Sequence, residues 1–217
     1  MFSKTFFVSA ILALASNAAS AGVIQVGGMA AGADGKISSK LGVCTVTFNG
    51  GSAANTCGAV YSNTLSSNFR TGNLANQYAT PAGDTTGFLT VGPADGTPIN
   101  IALATAANYF GFYAGSLDSY NLVQFFMDGV MVDSFNGTQI NAVAFPSSAT
   151  DGNQAQAQYI DYFPAALYNR IIYSSSANAF ETDSHAFGLV SLNVPEPSSI
   201  ALLGLGAAAL LVRRRRS

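Results

Sequence analysis

Residues 22–193 predict an all-β domain, an antiparallel β-sandwich or jelly roll. Three observations lead there. About nine or ten short apolar or alternating runs recur along the chain, each fit for a strand. Clusters of Gly, Asn, Asp and Pro separate them at close spacing. No long segment holds a helical apolar period, and no repeat of roughly 20–50 residues is visible.

The elements follow in order. Gly22–Lys40 is rich in Gly and Ala, with Val23–Val26 as a first strand and Asp34-Gly35 as a turn. Val43–Phe48 and Gly58–Tyr61 read as a hairpin across Asn49-Gly50-Gly51-Ser52. Ser62–Asp84 is polar; Leu65–Tyr78 has room for a short helix, but its apolar residues hold no convincing helical period. Phe88–Val91 and Ile99–Leu103 are strands flanking the turn-forming run Gly92–Pro98. Tyr109–Tyr113 is aromatic and β-prone. Alternation puts Phe110 and Phe112 on one face, as core, and Tyr109 and Tyr113 on the other, where they could meet a sugar ring. Ser116–Ser119 is a turn. Leu122–Met127 and Val130–Phe135 flank Asp128-Gly129, the strongest two-residue hairpin signal in the chain. Asn136-Gly137 reads as a further turn. Gln158–Phe163, Arg170–Ser175 and Phe187–Leu192 complete the strands.

The two ends are of another kind. Met1–Ala21 has Lys4, then the apolar stretch Phe6–Ala15, then the small-x-small site Ala19-Ser20-Ala21. This is the pattern of a secretory signal peptide, cut by signal peptidase after Ala21 to leave Gly22 at the mature N-terminus. At the other end, Val194-Pro195-Glu196-Pro197 precedes the uncharged run Ile200–Val212 and then Arg213, Arg214, Arg215 and Arg216. Thirteen residues make a helix of about 20 Å. A bilayer core is about 30 Å thick. Ser198 and Ser199 extend the run, and Arg213 can place its charge among headgroups while its stem stays apolar. The arginines act as a membrane stop and stay cytoplasmic, so the chain before Pro195 lies outside the inner membrane. Pro195 and Pro197 keep the preceding peptide extended.

Export bears on the cysteines. Cys44 and Cys57 are spaced C-x12-C, which fits no zinc or thioredoxin pattern. In an oxidising compartment they form a disulfide, expected to tie the hairpin above. Closing that loop stabilises by about 3 kcal/mol.

Charge excludes some partners. Residues 22–193 hold Lys36, Lys40, Arg70 and Arg170 against ten acids, a net charge of −6. The whole-chain value of −2 hides this, because five of the nine basic residues lie in the two end segments. Such a domain is a poor ligand for nucleic acid or anionic lipid. Its surface must be built from Asn, Gln, Ser and Thr.

The C-terminal pattern resembles the PEP-CTERM sorting signal. Val194–Pro197, the Gly/Ala/Leu segment and the arginine run agree in order and spacing. The resemblance implies export by a Gram-negative, exopolysaccharide-producing bacterium and recognition at Pro195, Glu196 and Pro197 by an exosortase, a membrane protease-transpeptidase. It implies nothing about the domain's own activity. Tyr109–Asn121 and Phe180–Phe187 also resemble segments of exosortase-dependent surface proteins, in which a final strand carries an F-E-x-D run before the tail. That likeness implies a β-sandwich surface protein.

Reactive constellations are sparse. His185 is the one histidine, so a His-rich metal site is excluded. It sits in Glu181-Thr182-Asp183-Ser184-His185, with no G-x-S-x-G elbow to partner it. The expectation is a strand-edge or surface histidine, and a protein that is not an enzyme. Calcium is the better candidate for a ligand, because it takes six to eight oxygens. Asp118, Asn121, Glu181 and Asp183 are the nominated ligands, with Asp151-Gly152-Asn153 as another oxygen-rich turn. Asp and Asn equally serve as turn formers. The sequence therefore supports an exported surface or matrix protein, structural or adhesive in an exopolysaccharide biofilm. A carbohydrate- or calcium-binding module is the alternative, and an enzyme acting on exopolysaccharide through Glu181 or His185 is a weaker third.

Overall fold

A computed structural model describes residues 22–115, 117–146 and 156–191. The leader with Ala19 and Ala21, the turn at Asp151, and the tail from Val194 to Ser217 lie outside the described residues.

Half of the described residues are strand, in antiparallel sheets with one α-helix, and the sandwich expectation fits. Strands are numbered in chain order. The larger sheet runs β1 (Val23–Gly27), β12 (Gln158–Phe163), β9 (Tyr109–Ala114), β14 (Phe180–Gly188), β7 (Phe88–Val91) and β6 (Phe69–Arg70). β4 (Cys44–Val46) pairs with the later part of β14. The second sheet runs β11 (Val130–Asn136), β10 (Asn121–Met127), β13 (Tyr168–Ser175), β8 (Ile99–Ala107) and β5 (Ala59–Ser62). β2 (Met29–Ala30) and β3 (Lys36–Ile37) make a small separate ribbon.

The sheets meet through an aromatic core. Phe110, Phe112, Phe125, Phe135, Tyr173 and Phe180 are buried between them. Phe112 stacks on Phe135 at 5.7 Å and Tyr173 on Phe180 at 4.6 Å between ring centres. Each such ring removes enough apolar surface from water to contribute about 1.5–3 kcal/mol. The expectation for Phe110 and Phe112 holds. So does the hairpin at Asp128-Gly129, where both residues take positive φ (49° and 86°), as a tight two-residue β-turn requires.

Four expectations need correction. Val43–Phe48 and Gly58–Tyr61 are not a hairpin: β4 joins β14 in one sheet and β5 joins β8 in the other. The Cys44–Cys57 disulfide, with Cα atoms 5.5 Å apart, therefore ties the two sheets together. Val46, Phe48 and Ala59 are core, so each strand pairs with whichever distant strand buries that face. Leu65–Tyr78 holds a 3-10 turn at Ser66–Asn68 and the strand β6, with no α-helix. Asn136-Gly137 opens α1 (Gly137–Ala144) instead of a turn. Asn136 Oδ1 accepts from the Gln139 N–H at 3.0 Å, and Gln139 Oε1 accepts from the Asn136 N–H at 2.9 Å, a reciprocal cap. The last strand is Phe180–Gly188, not Phe187–Leu192. Its alternation is hidden because both of its faces are buried.

Candidate functional site

β14 and the loops laid over it gather most of the nominated polar residues. On the larger sheet the side turned away from the core is roofed by chain. Tyr109 is fully buried there: its hydroxyl donates to Asp161 Oδ1 at 2.7 Å and meets Ser38 Oγ at 2.7 Å. Lys40 caps the same Asp161 at 2.9 Å and lies over the Phe163 ring. The Tyr113 hydroxyl donates to the Ala82 carbonyl, and Gly35 lies so close to its ring that a Cβ would collide. Tyr109 and Tyr113 are thus covered, and the expected sugar-facing pair is corrected. The N-terminal segment buries rings whose hydroxyls then find fixed partners.

His185 is equally enclosed. Its ring lies among Phe48, Phe110, Tyr173 and Phe187. Nδ1 meets the Tyr61 hydroxyl at 3.0 Å and Nε2 meets Thr182 Oγ1 at 2.8 Å. Burial among these groups pushes its pKa down to about 3, so the imidazole is neutral. It is a core residue, not the edge or surface histidine expected.

Of the four nominated calcium ligands, Asn121 and Glu181 hold structural contacts. Asn121 Oδ1 accepts from the Asp118 N–H at 2.6 Å, a turn contact, while its amide donates to Ser175 Oγ at 3.0 Å. Glu181 Oε1 accepts from the Ala79 N–H at 2.8 Å and so pins the preceding loop to β14. Asp183 is fully buried. Among the described residues no three His, Cys, Asp or Glu side chains group so as to hold a metal.

Asp183 instead faces carboxylates that the sequence did not suggest. Burial pushes it up to about 7, the backbone N–H of Ser184 pulls it down, and the charges of Asp84 and Asp34 raise it further. Asp84 is raised by its own burial, against the hydrogen bonds that Thr86 gives its Oδ1. Asp84 Oδ2 and Asp183 Oδ1 are buried with no hydrogen-bond partner. Asp34 takes a bond from the Asn49 amide at 2.7 Å. Two loops and one strand, far apart in sequence, bring these acids together, and no local pattern announces it.

Where the chain leaves the domain it is held twice. Asn108 donates to the Val190 carbonyl at 3.0 Å and accepts from the Val190 N–H at 2.7 Å. That clamp stands four residues ahead of Val194. Residues 193–216 match the family model described as the PEP-CTERM protein-sorting motif. The chain carries a PEP-CTERM sorting signal. A PEP-CTERM signal marks an exported protein, targeted by exosortase through a membrane-anchored intermediate to the surface. No described helix is long and apolar enough to cross a membrane. No curated protein matches the chain. Among solved structures, the chain is similar to the catalytic domain of a GH87 alpha-1,3-glucanase in complex with nigerose. There the TM-score is 0.38 and the identity 13%, over 72% of this chain and 30% of that one. A variant of that domain in complex with tetrasaccharides gives a TM-score of 0.38 and 13% identity, over 72% and 29%. The chain spans less than a third of those domains, and a likeness this distant says nothing of activity.

Proposed function

We propose that this chain is a structural or adhesive protein of the envelope or exopolysaccharide matrix of a Gram-negative bacterium. The PEP-CTERM signal behind a clamped β-sandwich carries the reading. Signal peptidase removes Met1–Ala21, Ile200–Val212 holds the chain in the inner membrane, and Arg213–Arg216 set its orientation. An exosortase then reads Pro195, Glu196 and Pro197 and releases or transfers the domain outward. The domain works by where it is placed and what it touches, not by catalysis. Two features support that part: His185 is held neutral inside the core, and Glu181 is committed to a backbone N–H.

The test replaces Val194–Pro197 with alanines in the producing cell. Surface delivery should be lost while the domain accumulates at the inner membrane. Undiminished delivery of that variant would sink the proposal.

A further inference from the structure

The two outer faces of the sandwich differ. The larger sheet is roofed, whereas side chains on the outer face of the β11-β10-β13-β8-β5 sheet stay at least partly exposed. The register lines them up in rows. Val60, Ala102, Arg170, Phe126 and Met131 form one row across all five strands. Ser62, Asn100, Ile172, Gln124 and Ser134 form the next. Five strands at their usual spacing make each row about 19 Å long.

Arg170 lies on the middle strand. Its guanidinium carbon sits 4.6 Å from the centre of the Phe126 ring, stacked on the aromatic face. Among the described residues Lys40 and Arg70 have carboxylate partners and Lys36 has Gln158. Arg170 has no ion pair among the described residues, and its Nε is buried without a hydrogen bond there. Its Nη edge is thus left for a carboxylate, which guanidinium binds through two parallel hydrogen bonds. In the next row the polar groups are uncharged amides and hydroxyls, Ser62, Asn100, Gln124 and Ser134, each able to donate and accept, with Ile172 between them.

We infer that this face binds an acidic polysaccharide, with a uronate carboxylate on Arg170, a sugar ring against Phe126 and Met131, and hydroxyls on Asn100 and Gln124. A second copy of the chain fits poorly. Two-fold pairing through this face would set one Arg170 against the other, because the middle strand lies nearest the axis. An anionic lipid surface fits poorly too: such surfaces are held by clusters of Lys and Arg, and among the described residues this face carries Arg170 alone. The inference rests on the reading of a matrix protein, but its test is separate: delivery is read in cells, and polymer binding on the recovered protein.

The experiment uses the protein recovered from the cells that export it, in affinity electrophoresis through gels containing polygalacturonate, its methyl ester, or dextran. Polygalacturonate should retard it. Methyl esterification, Arg170→Gln and Phe126→Ala should each weaken binding at least tenfold. Ala102→Glu sits in the same row on an exposed position, disturbs no core packing, and should do the same if Phe126→Ala fails to fold. No retardation by polygalacturonate overturns the inference. So does retardation that Arg170→Gln and Ala102→Glu leave unchanged, or a dimer in light scattering that Arg170→Gln tightens.

Discussion

Asp183 and His185, two residues apart on β14, carry opposite pH dependences. Asp183 has a folded pKa of about 7 against an ordinary value of 3.8. The folded state keeps that proton to higher pH, so the stability it contributes is complete below about pH 4 and is lost as pH rises towards 7. Asp84, raised as well, adds in the same direction. His185 has a folded pKa of about 3 against 6.5. Its contribution is present above pH 6.5 and is lost as pH falls towards 3. Between about pH 4 and 6.5 the two slopes oppose each other, so the native protein should show a shallow stability profile there. Asp183→Asn removes one slope. The variant should melt higher than the native protein at pH 8, by an amount equivalent to a few kcal/mol. It should also show a clearer fall in Tm from pH 6.5 to 3, the His185 dependence now opposed by Asp84 without Asp183. A variant profile parallel to the native one over pH 3–8 would remove Asp183 from this role. Neither residue's environment is readable from Glu181–His185 alone, because the raising and lowering groups come from Asp34, Asp84, Phe48 and Phe110.

The elements were legible wherever a local rule sets them. Asp128-Gly129 requires two positive-φ residues and has the residues that tolerate them, so its hairpin is found from sequence. α1 was missed although its reciprocal cap is written in Asn136 and Gln139: eight residues are too few for a periodic pattern, and Asn-Gly reads as a turn. The pairing of β4 and β5 was missed for a different reason. Adjacent strands usually pair, and only packing against β14 and β8 separates these two. The disulfide then has a different task. Cys44→Ala with Cys57→Ala should lower unfolding free energy by about 3 kcal/mol, the value for closing a loop of this size. Because the bridge joins two sheets, the variant should also lose hydrogen-exchange protection in β5 as well as β4. Loss confined to residues 44–57 and their own turn would instead match a local staple.

For the whole molecule the decisive observable is mass. The native protein from cell-surface and culture fractions should begin at Gly22 and end near Pro195–Pro197, in agreement with cleavage at both end segments. A surface species that retains Arg213–Arg216 would contradict processing and move the search for partners to the inner membrane. The Asn108 clamp on Val190 makes a defined end of the folded domain before the motif begins, so trimming at Pro195–Pro197 should leave thermal stability unchanged.

By itself the sequence determined the class of fold, most strands, the core role of Phe110 and Phe112, and the sorting signal at the C-terminal end. These depend on short-range properties: a two-residue alternation, turn residues with the right φ, an apolar run bounded by charge. The tertiary structure alone decided which sheet each strand joins, that Tyr109 and Tyr113 lie under a roof, that buried Asp183 feels the charges of Asp84 and Asp34, and that Arg170 stands on an open face without an acid among the described residues. Those facts depend on contacts between residues far apart in the chain, and such contacts are chosen by the burial of whole faces, which no local stretch of sequence encodes.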